Sequence, residues 1–363
     1  MPLPPLTGHA DTRRRLAKAV RGGALPQVLL FTGSTGIGKQ RLALWLAQLV
    51  FCERRGEEPC GSCRACRLVD GLAHADLHWF VPIARPKAGD PDKQVDEAAE
   101  ALAAVMEERR KQPLYVPADG MASHSIATVR LLQRRASLTS VEGGARVFII
   151  GEAERLVAQE SSPEAANAML KLLEEPPPGS LFVLTALDPR RVLPTIRSRA
   201  APIRLNRLVD DEVRGFLRQH TEPRWSAEKV EERVALANGA IGLALSAGEE
   251  TGKAYRSAEQ LLAAVVEGRG PALERALGQV AYSARGEFAA MLDALADTLG
   301  EAARGTMGQP VRRAVPQPLL RHRSPAPLLQ ALEKVAEARE AAAGNVNPQI
   351  LLAVLGEELA EVL

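Results

Sequence analysis

A glycine-rich run that follows an apolar strand and opens a helix leaves a chain few architectures. Here that run is Gly33-Ser34-Thr35-Gly36-Ile37-Gly38-Lys39-Gln40, set between Val28-Leu29-Leu30-Phe31 and the helical stretch Arg41-Leu42-Ala43-Leu44-Trp45-Leu46-Ala47. Glycines let successive backbone N–H groups turn inward on a polyphosphate, the helix N-terminus adds positive potential, and Lys39 reaches the outer phosphates. The last position departs from the pattern, because Gln40 stands where a Ser or Thr hydroxyl binds magnesium. The spacing predicts a P-loop domain in which Gly33, Gly36, Gly38 and Lys39 are the nucleotide-binding candidates. Binding of ATP or ADP and its hydrolysis are separate questions for such a loop.

Further apolar runs extend the pattern. His78-Trp79-Phe80-Val81, Val147-Phe148-Ile149-Ile150, Leu181-Phe182-Val183-Leu184-Thr185 and Ile203-Arg204-Leu205 read as strands separated by helical segments. That alternation predicts a parallel sheet covered on both faces, with ligands at the strand C-termini. A short amphipathic helix over Arg14, Leu16, Ala17 and Val20 precedes the first strand and ends near Gly22-Gly23. Ser123 or Ser125 caps a helix through Ile126, Val129, Leu132 and Arg135. A later helix takes Ser162 as cap and Pro163 in its first turn, buries Met169, Leu170, Leu172 and Leu173, and stops at Pro176-Pro177-Pro178. Between Ala84 and Gly120 a turn-rich stretch and an Ala-rich, charged helix from Val95 to Arg110 read as a largely solvated insertion.

All four cysteines lie in one short stretch, Cys52-x7-Cys60-x2-Cys63-x2-Cys66. Four thiolates close a tetrahedral zinc site and leave no position for water, so the expected metal is structural. Gly56, Pro59 and Gly61 permit the tight turns that wrapping one ion requires. A disulfide framework does not fit a chain expected in a reducing compartment.

At 363 residues the chain is long enough for two or three domains, and its 4% aromatic content leaves a core of Leu, Ala and Val that favours helices. No apolar run approaches the roughly 18–20 residues that span a bilayer, and the expected location is the cytoplasm. A net charge of +2 gives no global pull toward nucleic acid. Strand signals stop beyond Asn206. Short helices follow to Ser246, and the pattern from Ala254 to Leu363 is helical, interrupted by a basic, proline-rich loop from Gly305 to Pro327. Arg130, Arg134 and Arg135 form a basic helical face whose commoner explanation is solvation rather than DNA.

The nucleotide site carries a second departure. A P-loop ATPase also holds magnesium through a carboxylate at the end of another strand and activates water with the next Glu. Here Val147–Ile150 is followed by Gly151-Glu152, so glycine takes the carboxylate position. With neither Gln40 nor Gly151 able to ligate, the metal would rest on waters and phosphates alone. Binding remains open to the backbone and Lys39, whereas hydrolysis is not expected.

These residues resemble the bacterial DNA polymerase III clamp loader, an AAA+ family, and within it the delta-prime branch. The resemblance rests on the altered P-loop, the cysteine module behind it, Asn167-Ala168-Met169-Leu170-Lys171-Leu172-Leu173-Glu174-Glu175-Pro176-Pro177, Thr195-Ile196-Arg197-Ser198-Arg199, and Asn345-Val346-Asn347-Pro348-Gln349. It implies an α/β AAA+ P-loop domain over 1–206 with zinc module 52–66 and the insertion at about 84–120. A small helical lid over 207–250 and an all-α collar domain over 251–363 follow. It also implies a hetero-oligomer with clamp-loader motor subunits and a delta subunit, acting on the sliding clamp and primed DNA through the complex, with no membrane partner. In that family the delta-prime type is a stator without hydrolysis of its own, and its Ser-Arg-Cys motif supplies an arginine finger to the adjacent motor's ATP site. Arg199 matches that arginine, and Ala200 replaces the cysteine. In the lid, Gly242 stands where motor subunits carry a sensor arginine. A second reading is an ATP-hydrolysing clamp-loader motor or related AAA+ ATPase, and a third is a P-loop kinase with a zinc-stabilised lid.

Overall fold

Five apolar segments form one parallel sheet: β1 (Val28–Thr32), β2 (Leu77–Phe80), β3 (Arg146–Ile150), β4 (Ser180–Ala186) and β5 (Ala201–Arg204). The computed structural model describes residues 3–54, 56–111, 122–142, 144–156, 164–221, 224–246, 249–279, 285–311, 315–342 and 346–363, with the side chains of 164–167, 249–251 and 285 excepted. The strand order is β2-β3-β4-β1-β5, so the chain crosses β1 to reach its far neighbours. Val28 pairs with Phe182 and Thr32 with Ala186, which brings the C-terminal ends of β1 and β4 level. The three central strands are buried on both faces, as their unbroken apolar sequences require. Phe148 and Phe182 stack at 4.9 Å inside that core. Edge strand β5 alternates between half-buried and exposed positions and accommodates Pro202, whose missing N–H costs an edge strand nothing.

Helices α1 (Ala10–Arg21), α2 (Lys39–Phe51), α3 (Arg64–Asp70), α4 (Pro91–Lys111), α5 (Ile126–Ser137), α6 (Glu164–Glu174) and α7 (Pro194–Arg197) belong to the same unit. Ser125 rather than Ser123 caps α5, accepting from the Thr128 N–H at 3.4 Å, while Ser123 pairs through its backbone with Ile83. Ser162 and Pro163, expected at the start of α6, lie outside the described residues.

Helix α4 corrects the expectation of a solvated insertion. Val95, Ala98 and Leu102 are buried in the main core, and Arg110 donates to the Gly71 and Leu72 carbonyls at 3.2 and 2.6 Å. Its apolar positions are spaced three and four apart, which makes one buried stripe. The basic face of α5 is also partly spent inside the protein, since the Arg135 guanidinium lies 5.5 Å from the Phe80 ring centre.

Helices α8 (Asp210–His220), α9 (Ala227–Ala237) and α10 (Ile241–Ser246) have a small core of their own around Leu208, Val213, Phe216, Leu217, Val230 and Val234. The chain divides into a unit from Met1 to Leu245 and another from Ser246 to Leu363. The second unit contains only helices among its described residues: α11 (Glu249–Glu267), α12 (Arg269–Leu277), α13 (Arg285–Thr306), α14 (Gln317–Leu320), α15 (Ala326–Ala341) and α16 (Pro348–Val362). Asn347 caps α16 by accepting from the Gln349 N–H at 2.9 Å, and the Gln349 side chain donates to the Leu277 carbonyl at 2.7 Å. Asn345, Arg312 and Arg313 lie outside the described residues. No helix among the described residues is long and apolar enough to cross a membrane.

Candidate nucleotide site and its surroundings

Gly33, Gly36 and Gly38 all take positive φ, at 150°, 72° and 99°, so the loop between β1 and α2 has the backbone that its sequence calls for. The Lys39 ammonium turns back into the loop and donates to the Gly33 and Ser34 carbonyls, each at 2.8 Å. Burial pulls its pKa down to about 8, against the opposing pull of the Glu154 and Glu152 carboxylates. His9 donates from Nε2 to the Ile37 carbonyl at 2.9 Å, tying the chain before α1 to the loop. From the other side α10 packs directly on Gly36, with the Gly242 N–H donating to the Gly36 carbonyl at 2.9 Å. A Cβ at position 242 would lie 2.6 Å from the Gly36 Cα, so this packing admits no arginine there.

The two positions that would ligate magnesium meet each other. A Cβ at Gly151 would stand 2.7 Å from Gln40 Nε2, so the Gln40 amide fills the space that a carboxylate side chain would need. Gln40 Oε1 in turn accepts from Trp79 Nε1 at 3.1 Å and from Arg109 Nη1 at 3.3 Å. Neither an amide held in two hydrogen bonds nor a glycine offers magnesium the hard oxygen ligands it prefers, and the residues present do not fit that ion. Glu152 has an αL backbone, with its N–H donating to Thr185 Oγ1 at 3.1 Å. Burial raises its pKa, while its carboxylate is held by Arg155 at 2.7 Å. Beneath it, His124 Nε2 donates to the Gly151 carbonyl at 2.6 Å, and burial holds the imidazole pKa down at about 4.

The sequence places Trp79 in a strand and Arg109 in the insertion helix, but marks neither of them, nor Arg155 or His124, as a residue of this site. No spacing rule links an insertion helix to a P-loop, and the only sequence signal was the joint oddity of Gln40 and Gly151.

Arg199 lies away from this loop, just past the end of α7 and before β5, its side chain 32% exposed. Its guanidinium pairs with the Glu174 carboxylate at the end of α6 and donates to the Thr195 carbonyl at 2.7 Å. The next residue, Ala200, is buried in the main core.

The cysteines converge. All four Sγ atoms lie within 4.8 Å of one another, with Cys52, Cys63 and Cys66 buried. A zinc ion with Zn–S bonds of about 2.3 Å needs sulfurs about 3.8 Å apart, and Cys60 and Cys66 stand at 3.9 Å. Backbone N–H groups of Cys60, Cys63 and Cys66 point at the sulfurs of Cys52, Cys60 and Cys63 at 3.3–3.4 Å. For Cys60, the N–H groups of Cys63 and Ser62 draw the thiol pKa down to about 6. The donor set fits zinc and four sulfurs would fill its coordination shell.

Comparison with known proteins places these features in context. The profile of the family described as "DNA polymerase III, delta subunit" matches residues 8–209. The DNA polymerase III subunit delta' of Bacillus subtilis is 31% identical over 184 residues, which is 51% of this chain and 43% of that protein. The delta' subunit of Haemophilus influenzae is 28% identical over 185 residues, 51% of this chain and 44% of that protein. The matched stretch thus spans less than half the length of either relative. A solved gamma subunit-related protein from Thermotoga maritima superposes loosely, with a TM-score of 0.37 and 15% identity, over 97% of this chain and 100% of that one.

Proposed function

Since the chain belongs to the DNA polymerase III delta-subunit family and is delta-prime-like, with an AAA+ fold, we propose that it is the stator of a clamp loader. In this reading it does not hydrolyse ATP itself. It assembles with motor subunits and a delta subunit, helps place a sliding clamp on primed DNA, and presents Arg199 to the nucleotide of a neighbouring motor.

One observation carries the reading: at the two positions that would hold magnesium, the Gln40 amide fills the space that a side chain at Gly151 would need. Without a held metal, Glu152 has no activated water to act on, and Arg155 already engages its carboxylate. Chemistry is therefore assigned to the surface. An arginine finger stabilises charge developing on a transferring phosphoryl group. Arg199 is half-exposed, and an exposed ion pair such as that with Glu174 is worth roughly 0–1 kcal/mol, so the guanidinium can exchange its carboxylate for a phosphate at small cost. The cysteine module would hold zinc as a structural brace between α2 and α3.

The purified chain tests this reading by its magnesium-dependent ATP turnover. The expected result is none above background. Substantial turnover that Lys39→Ala abolishes would contradict the stator and favour a motor.

A further inference from the structure

Helix α4, in the insertion, brings a positive charge to the P-loop. Arg109 sits in the last turn of α4, and its guanidinium carbon lies 4.1 Å from the Trp79 ring centre. Its Nη1 is 3.3 Å from Gln40 Oε1. Gln40 occupies the position of the magnesium-binding hydroxyl, and its amide abuts Gly151, the position of the magnesium-binding carboxylate. The positive charge is also felt at Glu152, whose pKa it lowers against the larger raising effect of burial. A cation thus stands beside both ligand positions and the adjacent carboxylate, where a P-loop ATPase would place its divalent ion.

The arm that carries this cation is fixed. Val95, Ala98 and Leu102 anchor α4 in the core, and Arg110 pins its end to the Gly71 and Leu72 carbonyls. Trp79 both donates to Gln40 and offers its ring face to the guanidinium, so one residue orients the amide and the cation together. The ring's negative face attracts the half-buried guanidinium and holds it beside the loop. Holding it costs little entropy at the moment of use, because the helix is already ordered.

We propose that Arg109 is a tethered cation that takes the seat of the divalent metal in this P-loop, and that the insertion exists to deliver it. The loop then excludes metal-bound nucleotide even if its lost ligands are restored. This deepens the reading of the loop as non-hydrolysing and rests on it; the two fail separately, because turnover by the native chain would sink that reading, whereas the variants below test only Arg109.

The test compares binding of a fluorescent ADP analogue to the full chain in magnesium and in EDTA. Three proteins are needed: Gln40→Thr with Gly151→Asp, the same pair with Arg109→Gln, and the same pair with Arg109→Lys. The glutamine keeps an aliphatic stem over Trp79 and removes the charge, and the lysine keeps the charge. We expect magnesium to leave affinity unchanged in the first and third, and to tighten it by at least about tenfold in the second, the scale on which metal-site residues act. Magnesium-dependent tightening of equal size with Arg109 retained would overturn the proposal, as would its absence from a folded Arg109→Gln protein. If that protein does not fold, Arg109→Met in the same background gives the same two outcomes.

Discussion

At the scale of single residues, the site is a set of paired substitutions. Gly151 has no side chain because Gln40 stands in its way, and Gln40 stays put because Trp79 and Arg109 both donate to it. Overpacking of this kind costs about 1–3 kcal/mol. Gly151→Ala should therefore lower unfolding stability by that amount, and adding Gln40→Ser should restore most of it; a double-mutant cycle read by denaturant unfolding checks the coupling. His124 gives a second prediction. Its pKa is depressed to about 4 in the folded protein by burial, against about 6.5 unfolded, so the unfolded chain takes up the proton first as pH falls. Its contribution is intact above pH ~6.5 and is lost as pH falls toward 4, amounting to about 2 kcal/mol between pH 7 and 5. In His124→Gln, which keeps a donor for Gly151, unfolding measured at both pH values should show that much less pH dependence. The loop glycines, Lys39 and the two odd positions were legible from spacing. The contact of Gln40 with Gly151 was not, since it joins residues more than a hundred positions apart, and neither was that of Arg109, which lies on a helix that the sequence marks only as charged and Ala-rich.

At the scale of elements, the apolar runs located the sheet because buried parallel strands have little choice of residue, and the strand ends moved by only a residue or two. The helix of the insertion was misread for a physical reason: its stripe of Val95, Ala98 and Leu102 is narrow, and its many charges line the other faces. The cysteine module makes the third prediction. Freshly purified protein should contain about one equivalent of zinc, and Cys66→Ser should lose it together with the ordered turn between α2 and α3, as metal analysis and protease sensitivity near Cys60 will report. Less than about half an equivalent in the native protein would remove zinc from the account.

At the scale of the whole molecule, an α/β unit is joined to a helical one, and each has its own hydrophobic core. Asn347 and Pro348 begin the last helix with a cap and a first-turn proline, a local role for residues that the sequence marks only through family resemblance. The role proposed for Arg199 rests on its motif, because an exposed arginine just past a four-residue helix has no distinguishing chemistry alone. In the function proposed, the chain contributes to ATP turnover there and not in its own loop. The most direct measurement is the ATPase rate of a clamp loader reconstituted with the Arg199→Ala chain. Assembly should be intact and the rate should fall by at least about tenfold, within the reach of finger residues elsewhere; an unchanged rate in the assembled complex would contradict the central claim.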